Sequence, residues 1–370
     1  MTKLNVPFVD LKAQYRAHQP EFDAAMRGVI EATAFIGGEP VRRFEAAFAA
    51  AFGVKHCIAV ANGTDAIYIA LRMLGVGTGD EVITTASSWI STSETISQAG
   101  ATPVFVDVDE HFNIDPGAIE ARITPRTRAV IPVHLYGQAA RMDEITRLCA
   151  KHNLLLIEDC AQAHLAKFAG QTVGTFGRAA TFSFYPGKNL GAYGDAGAIV
   201  TNDDALERKC RMYANHGALV KHEHLMEGIN SRLDGLQAAL LSAKLPHLAD
   251  WTRRRRAVAA TYDRLLAGIT GVQIPRVHPS AEHVYHLYVI RAQRRAELRK
   301  ALADAGIETA IHYPTALPLL PAYARLGMTA ADIPNAARNQ GEILSLPMYA
   351  EMPPEFVAHV AETIAAFYRR

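Results

Sequence analysis

Residues 154–189 read LLLIEDCAQAHLAKFAGQTVGTFGRAATFSFYPGKN. The apolar run at its start ends in the acid pair Glu158-Asp159, and a second run, residues 180–184, leads into a YPGK loop that ends at Lys188. Short, almost continuous apolar runs are typical of strands that helices cover on both faces. The segment therefore predicts two buried strands, each followed by polar residues at its carboxyl end.

The same pattern extends outward from this segment. Helix-length stretches with apolar residues at spacings of three and four, such as residues 143–152, separate several of the runs. Alternating strands and helices predict an α/β fold with a mostly parallel central sheet covered by helices. Ligands of such sheets bind at the carboxyl ends of the strands. Further runs of this kind begin at Cys57, Glu81, Thr102, Arg128 and Gly197.

The pattern changes in the last third of the chain. A helical stretch follows Asp203, HLYVIRA from His286 predicts a strand, and residues 294–305 predict a helix that Gly306 ends. A last helix is predicted from Pro354 to the end of the chain. We therefore predict two domains: residues 1–250 as a large α/β domain with an N-terminal arm, and residues 251–370 as a small α+β domain.

Composition excludes several classes of function. The 370 residues carry a formal net charge of +1, so no field draws the chain to nucleic acid or an anionic membrane. The N-terminal residues MTKLNVPFVDLKAQY mix charges with apolar residues, unlike a signal peptide or an anchor. The four cysteines form no CxxC pair, which argues against a metal site or a disulfide framework. We expect a cytoplasmic protein with no metal.

Two motifs at predicted strand ends suit a phosphorylated aromatic ligand. Asn62-Gly63-Thr64-Asp65 lies between a predicted strand and a helix, where free N–H groups bind phosphate. An ordinary helix cap explains the same residues. Asp159 ends its strand in the expected ligand crevice, where an ionised carboxylate can keep the ring nitrogen of pyridoxal phosphate (PLP) protonated. A helix-capping acid is the alternative reading of Asp159.

The third motif is Ser183-Phe184-Tyr185-Pro186-Gly187-Lys188. A lysine on a tight loop after a strand can form a Schiff base with an aldehyde when it is partly desolvated, and Ser183 can bind a phosphate. A lone loop lysine is otherwise a surface charge. The three motifs occur in the order phosphate loop, ring-nitrogen acid and Schiff-base lysine, and this order makes the PLP reading much more specific than any one of them.

With these motifs the chain resembles the DegT/DnrJ/EryC1/StrS family of nucleotide-sugar aminotransferases over nearly its whole length. The resemblance implies the fold-type I PLP-dependent aminotransferase architecture. It also implies a homodimer with shared active sites. The matching motifs are Phe8-Val9-Asp10-Leu11, Asn62-Gly63-Thr64-Asp65-Ala66, His134-Leu135-Tyr136-Gly137, Glu158-Asp159, Tyr185-Pro186-Gly187-Lys188, Gly194-Asp195, Asn230-Ser231-Arg232-Leu233-Asp234 and His312-Tyr313-Pro314.

The resemblance implies a role for each matching residue. Lys188 would hold PLP as a Schiff base, and Asp159 would pair with its ring nitrogen. For Trp89 the alternative is core packing, and for His312 it is a packed strand-end histidine. The remaining assignments are Gly63, Thr64 and Ser183 for the phosphate, Trp89 for stacking on the ring, Gln162 for the ring hydroxyl, Asn230 for the phosphate in a neighbouring subunit, and Arg232, His312 and Tyr313 for the sugar nucleotide.

The resemblance further implies ping-pong transamination, with L-glutamate as donor and a keto-sugar nucleotide as acceptor. Residues 189–197 and the His134-Leu135-Tyr136-Gly137 motif resemble members that act at carbon 3, so we expect a 3-keto substrate; a 4-keto substrate is the alternative. A PLP sugar dehydratase replaces the lysine with histidine, and Lys188 argues against that reading. A catalytically silent regulator has no need of the Asp159 and Lys188 pair.

One position departs from the family pattern. The family usually has glycine after the histidine of Asp159-Cys160-Ala161-Gln162-Ala163-His164, and here the residue is Leu165. Such a glycine often marks a positive φ or a close approach, where leucine costs energy. We therefore expect a local displacement of this loop, which affects the assignment of Gln162 more than that of Asp159.

Overall fold

The computed structural model describes residues 4–369. Residues 1–3 and 370, the outer ends of the predicted N-terminal arm and last helix, lie outside the described residues. The helices are α1 Leu11–Glu31, α2 Gly38–Phe52, α3 Gly63–Met73, α4 Ser91–Gln98, α5 Pro116–Ile119, α6 Met142–Lys151, α7 Asp204–Ala214, α8 Gly235–Lys244, α9 Leu248–Leu266, α10 Arg295–Asp304, α11 Pro334–Glu342 and α12 Pro354–Tyr368. The strands are β1 His56–Val60, β2 Glu81–Thr85, β3 Thr102–Val106, β4 Thr127–Ile131, β5 Leu155–Asp159, β6 Lys167–Phe168, β7 Gln171–Thr172, β8 Ala179–Ser183, β9 Gly197–Thr201, β10 Val272–Gln273, β11 Ala281–Glu282, β12 Tyr288–Ala292 and β13 Ile343–Leu346.

Seven strands form the central sheet in the order β1-β9-β8-β5-β4-β2-β3. The four pairings from β8 to β3 are parallel, and the two that β9 makes are antiparallel. The predicted mostly parallel sheet is thus confirmed. Because β5 and β8 are parallel neighbours, the residues that follow each of them lie at the same edge of the sheet.

Helices cover both faces of this sheet. One apolar cluster joins the sheet to α2, α6 and α8, and a second joins it to α3, α4 and α7. In α2 the apolar residues recur every three or four positions, as Val41, Phe44, Phe48 and Phe52, and all four are buried. The continuous apolar character of the strands follows from this burial on two sides.

The C-terminal part forms a second, three-stranded sheet in the order β10-β12-β13, packed with α9, α10 and α12. Val6 joins this second core and exchanges backbone hydrogen bonds with Gly306 and Glu308. Helix α9 runs across residue 250, and its Trp251 packs with Phe22 of α1. The predicted domain boundary at residue 250 thus falls inside a continuous helix. The division of the chain into residues 1–250 and 251–370 stays a prediction. Within residues 4–369, no helix combines the length and apolar character that crossing a bilayer requires.

Candidate active site

A cavity of about 580 Å³ lies at the carboxyl ends of β1, β5 and β8. The second sheet adds residues to its wall through His286 and Leu287, which precede β12. Nine of the predicted site residues line this one cavity: Gly63, Thr64, Trp89, Asp159, Gln162, Ser183, Lys188, His312 and Tyr313. The fold therefore brings together residues that span 250 positions of the sequence.

Asp159 is the last residue of β5 and is buried, with 4% of its surface exposed. Its carboxylate accepts hydrogen bonds from the Thr92 hydroxyl at 2.8 Å and from the Ala161 N–H at 3.1 Å. The Thr92 hydroxyl is itself 3.0 Å from the Ser88 hydroxyl. These bonds to the charged form of the carboxylate fix its direction at the edge of the cavity.

The N-terminus of α3 forms the second part of the site. Asn62 caps this helix, with its side chain accepting from the Asp65 N–H at 2.8 Å. This cap leaves the assignment of Gly63 and Thr64 to a phosphate as a prediction. The same turn lies against the end of β8: a Cβ on Gly63 would stand 2.7 Å from the Ser183 Cβ, which leaves room only for glycine. Thr64 and Ser91 share a hydrogen bond of 2.7 Å beside it. A helix N-terminus lined by hydroxyl groups suits an anionic group such as phosphate.

Lys188 lies on a closed loop after β8. The Lys188 N–H donates to the Tyr185 carbonyl at 2.8 Å, and the Ala192 N–H donates to the Phe184 carbonyl at 2.7 Å. Burial lowers the pKa of the Lys188 ammonium to about 8, and the negative charge of Asp159 opposes part of that shift. An amine with a pKa near neutrality is neutral often enough to act as a nucleophile or a base.

Three histidines lie near Lys188, and each is kept neutral. Burial, followed by the charge of Lys188, lowers the pKa of His164 to about 3 and that of His312 to about 4. The same two causes lower the pKa of His286. His312 and His286 line the cavity, whereas both ring nitrogens of His164 are buried without a hydrogen-bond partner among the described residues. The surroundings of Lys188 therefore add little positive charge.

Gln162 and Tyr313 form a connected pair on one wall of the cavity. The Gln162 side-chain oxygen accepts from the Tyr136 N–H at 2.7 Å, and its amide nitrogen donates to the Tyr313 hydroxyl at 3.1 Å. Trp89 stands at the mouth with 60% of its surface exposed, 5.7 Å from the Tyr313 ring between centroids. One face of the Trp89 indole is thus free to stack on a planar ligand.

Leu165 adopts a backbone conformation that glycine takes without strain. Its φ is +65°, in the left-handed region that costs energy for a residue with a Cβ. The side chain is half-buried and packs against the main apolar cluster. The loop therefore keeps a turn suited to glycine, and Gln162 still reaches the cavity wall.

Asn230 and Arg232 are the two predicted site residues that the single chain does not bring to the cavity. Both are exposed, and Asn230 forms an isolated β-bridge with Asn215. Arg232 borders a separate cavity of about 340 Å³ and lies 3.5 Å from the Asn215 side-chain oxygen. The assignment of Asn230 to the phosphate in a neighbouring subunit and that of Arg232 to the sugar nucleotide both stay predictions.

Sequence reasoning missed several residues of the site. Thr92 and Ser91 belong to the polar run after the predicted EVITT strand, and that run was a usable signal because it follows a strand end. His286 was assigned only to a predicted strand. Asn189 donates to the Val284 carbonyl at 3.1 Å and lies 3.3 Å from His286 Nδ1, a link between distant segments that no local pattern indicates.

Comparison with known proteins identifies the family. The model of the DegT/DnrJ/EryC1/StrS aminotransferase family matches residues 17–365. A Geobacillus stearothermophilus protein named pleiotropic regulatory protein is 49% identical over 369 residues, covering 99% of each chain. The dTDP-3-amino-3,4,6-trideoxy-alpha-D-glucose transaminase of Streptomyces venezuelae is 45% identical over 344 residues, 93% of this chain and 91% of that one.

A third relative is the UDP-N-acetyl-3-dehydro-alpha-D-glucosamine 3-aminotransferase of Acidithiobacillus ferrooxidans, 43% identical over 360 residues, 97% of each chain. Among solved structures, S. venezuelae DesV in complex with a ketimine intermediate superposes with a TM-score of 0.97 at 43% identity, covering 99% of both chains. The two chains share the fold of fold-type I PLP aminotransferases. The chain therefore belongs to the DegT/DnrJ/EryC1/StrS aminotransferase family, whose cofactor is pyridoxal phosphate.

Proposed function

We propose that this enzyme transfers the amino group of L-glutamate to the 3-keto group of a nucleotide sugar and so makes a nucleotide-linked 3-amino sugar. The observation that carries the proposal is the common cavity of Asp159 and Lys188, with Gly63 and Ser183 in contact beside them. A PLP enzyme needs an acid for the ring nitrogen, an amine for the aldehyde carbon and a site for the phosphate.

The residues fit PLP part by part. The N-terminus of α3 at Gly63 and Thr64, together with the Ser183 hydroxyl, would hold the phosphate, because the close contact of Gly63 with Ser183 brings the helix N–H groups and this hydroxyl together. The Asp159 carboxylate would pair with the ring nitrogen. Lys188 would hold the aldehyde carbon, since its ammonium is partly desolvated.

When bound, PLP supplies an electron sink that stabilises negative charge at the carbon bearing the amino group. Asp159, fixed by Thr92 and Ala161, keeps the ring nitrogen protonated and so preserves that sink. Lys188 takes the proton from the donor carbon as a base and returns one as an acid. With a pKa of about 8, the Lys188 side chain can both accept and donate a proton at a pH near neutral.

The preference for a 3-keto sugar rests on relatives. The names of both transaminases described above place the amino group at carbon 3 of the sugar. The physical reason for such a preference is distance: the anchoring of the nucleotide determines which ring carbon reaches the reacting atom. His312 and Tyr313 line the cavity, and we assign them to the sugar nucleotide. A 4-keto sugar nucleotide is the second candidate.

Two remote alternatives make different predictions. A sugar dehydratase of this fold has histidine in place of Lys188. A silent regulator, a reading that the name of the Geobacillus relative raises, binds partners without turning over glutamate. The site of this chain has both an acid fixed by two donors and a lysine of lowered pKa, which favours catalysis.

The test is a substrate panel with purified holoenzyme. The enzyme is offered 3-keto and 4-keto forms of dTDP- and UDP-linked sugars with L-glutamate, and NMR locates the new amine. We expect higher kcat/KM for a 3-keto substrate, and no product with Lys188→Ala. A higher kcat/KM for a 4-keto substrate contradicts the 3-keto assignment.

Borohydride reduction and peptide mapping of the same preparation identify the lysine that holds PLP. We expect the label on Lys188 alone. If glutamate does not convert the cofactor to its amine form, the donor or the aminotransferase function is wrong.

A further inference from the structure

Lys244, the last residue of α8, is a buried cation outside the cavity. None of its surface is exposed. Its ammonium donates to the Gly191 carbonyl at 2.7 Å and lies over the Tyr193 ring, 4.1 Å from the centroid. Among residues 4–369, no carboxylate oxygen comes within salt-bridge distance of it. Burial lowers the pKa of the Lys244 ammonium to about 8, and the charge of Glu351 opposes part of that shift. Because no carboxylate is in contact with it, keeping this ammonium buried is costly.

The acceptor of this hydrogen bond belongs to the loop that carries Lys188. The loop closes on itself, because a Cβ on Gly191 would stand 2.3 Å from the Pro186 carbonyl oxygen. Gly191 and Pro186 thus lie in contact on the two sides of Lys188. A force on the Gly191 carbonyl therefore acts directly on the backbone that holds the Lys188 side chain.

Helix α8 holds the returning arm of this loop at two points on one face. Gln237 accepts from the Tyr193 N–H at 2.8 Å, and Lys244 follows it by seven residues, which is two helical turns. On the opposite side, Asn189 donates to the Val284 carbonyl at 3.1 Å. The loop is thus held between α8 and the segment before β12.

We propose that Lys244 is a positioning residue for catalysis, which sets the place of the Lys188 amine by holding the Gly191 carbonyl. This proposal rests on the proposed role of Lys188. Lys244 does not line the cavity, so it acts on the reaction only through the loop. A displacement of about 1 Å in a reacting group can cost about 100-fold in rate, so the hydrogen bond has a measurable kinetic effect.

The test is Lys244→Met in the holoenzyme. Methionine retains most of the volume and cannot donate to Gly191, so we expect kcat to fall at least about tenfold with an unchanged KM for glutamate. We also expect the Tm to fall, because the buried Gly191 carbonyl loses its donor and Glu351 loses a nearby positive charge. Hydrogen exchange of the peptide 184–193 should speed up at Lys188 and Ala192, whose amides close the loop.

The matched control is Leu240→Val, one turn earlier on α8 and buried against Phe22 and Trp251. It should lower the Tm while leaving kcat and the exchange of peptide 184–193 unchanged. If Lys244→Met lowers the Tm and keeps kcat within twofold of the parent, Lys244 is only structural and the proposal is wrong. If Lys244→Met does not fold, Lys244→Leu, which also cannot donate to Gly191, should show the same loss of kcat.

The exchange measurement separates this proposal from the proposed function. A parent enzyme that fails to react with glutamate refutes the assigned reaction, whereas the exchange of peptide 184–193 still decides whether Lys244 holds the loop. Unchanged exchange in Lys244→Met overturns the positioning role, whatever reaction the enzyme catalyses.

Discussion

The Thr92 hydroxyl donates a hydrogen bond of 2.8 Å to the Asp159 carboxylate across 67 residues of sequence. Thr92 lies in the first turn of α4, and Asp159 ends β5. Both side chains are almost fully buried and line the cavity side by side. The orientation of the acid that we assign to the ring nitrogen thus depends on a residue in another element.

Replacing Thr92 with valine should lower the rate of the reaction with glutamate. A hydrogen bond to a charged group contributes about 1.5–3 kcal/mol, which corresponds to roughly a 10- to 100-fold change. We expect such a loss in single-turnover measurements on Thr92→Val. Thr92→Ser keeps the hydroxyl and is the control. Equal rates for the two variants would show that the bond does not matter for catalysis.

Lys188 should titrate well below an ordinary lysine. Burial lowers the pKa of its ammonium from 10.5 to about 8, so in the cofactor-free chain the amine becomes reactive as the pH rises through about 8. The negative charge of Asp159 stabilises the ammonium, and Asp159→Asn should therefore lower the pKa of Lys188 further. Competitive acylation followed by mass spectrometry measures both values, with the exposed Lys221 as an internal standard. A higher pKa of Lys188 in Asp159→Asn contradicts this electrostatic assignment.

Position 165 should prefer glycine to alanine. Both replacements lose the packing of the Leu165 side chain, but only glycine relieves the strain at φ +65°. The left-handed conformation costs about 1–2 kcal/mol for a residue with a Cβ, so Leu165→Gly should exceed Leu165→Ala by about 1 kcal/mol in free energy of unfolding. Urea unfolding measures this difference.

The matched pair for this comparison is Leu148→Gly and Leu148→Ala, at a half-buried position inside α6. There glycine should be less stable than alanine by about 1 kcal/mol, the usual order within a helix. The same order at both positions would mean that Leu165 carries no strain of this kind.

Mixing two inactive chains tests whether Asn230 serves a neighbouring subunit. If the enzyme is a homodimer with shared sites, a hybrid of a Lys188→Ala chain and an Asn230→Ala chain has one intact site and one doubly damaged site. Random pairing of equal amounts should restore about a quarter of the parental activity. Absence of any recovery in verified hybrids would place Asn230 outside the partner's site.

The sequence was enough to predict that the site residues lie close together, because a parallel sheet brings the carboxyl ends of its strands to one edge. The runs at residues 154–159 and 180–184 predicted both strands, and β5 and β8 are indeed parallel neighbours. The glycine at position 63 was also readable, since the turn from a strand into a helix has a recognisable composition. The common location of Asp159, Lys188 and Gly63 at this edge could therefore be predicted from local pattern together with one rule of sheet topology.

Other relationships depended on packing between distant segments. Thr92 and Asp159 meet because α4 packs beside the sheet, and Lys244 reaches Gly191 because α8 lies under the loop. Neither residue type nor spacing indicates such a contact, since a threonine in a helix and a lysine at a helix end are ordinary in sequence. The sequence by itself determined which residues stand at the ends of the strands. Only the tertiary structure decided which side chains from other elements hold them in place, because those contacts arise from the packing of helices against the sheet.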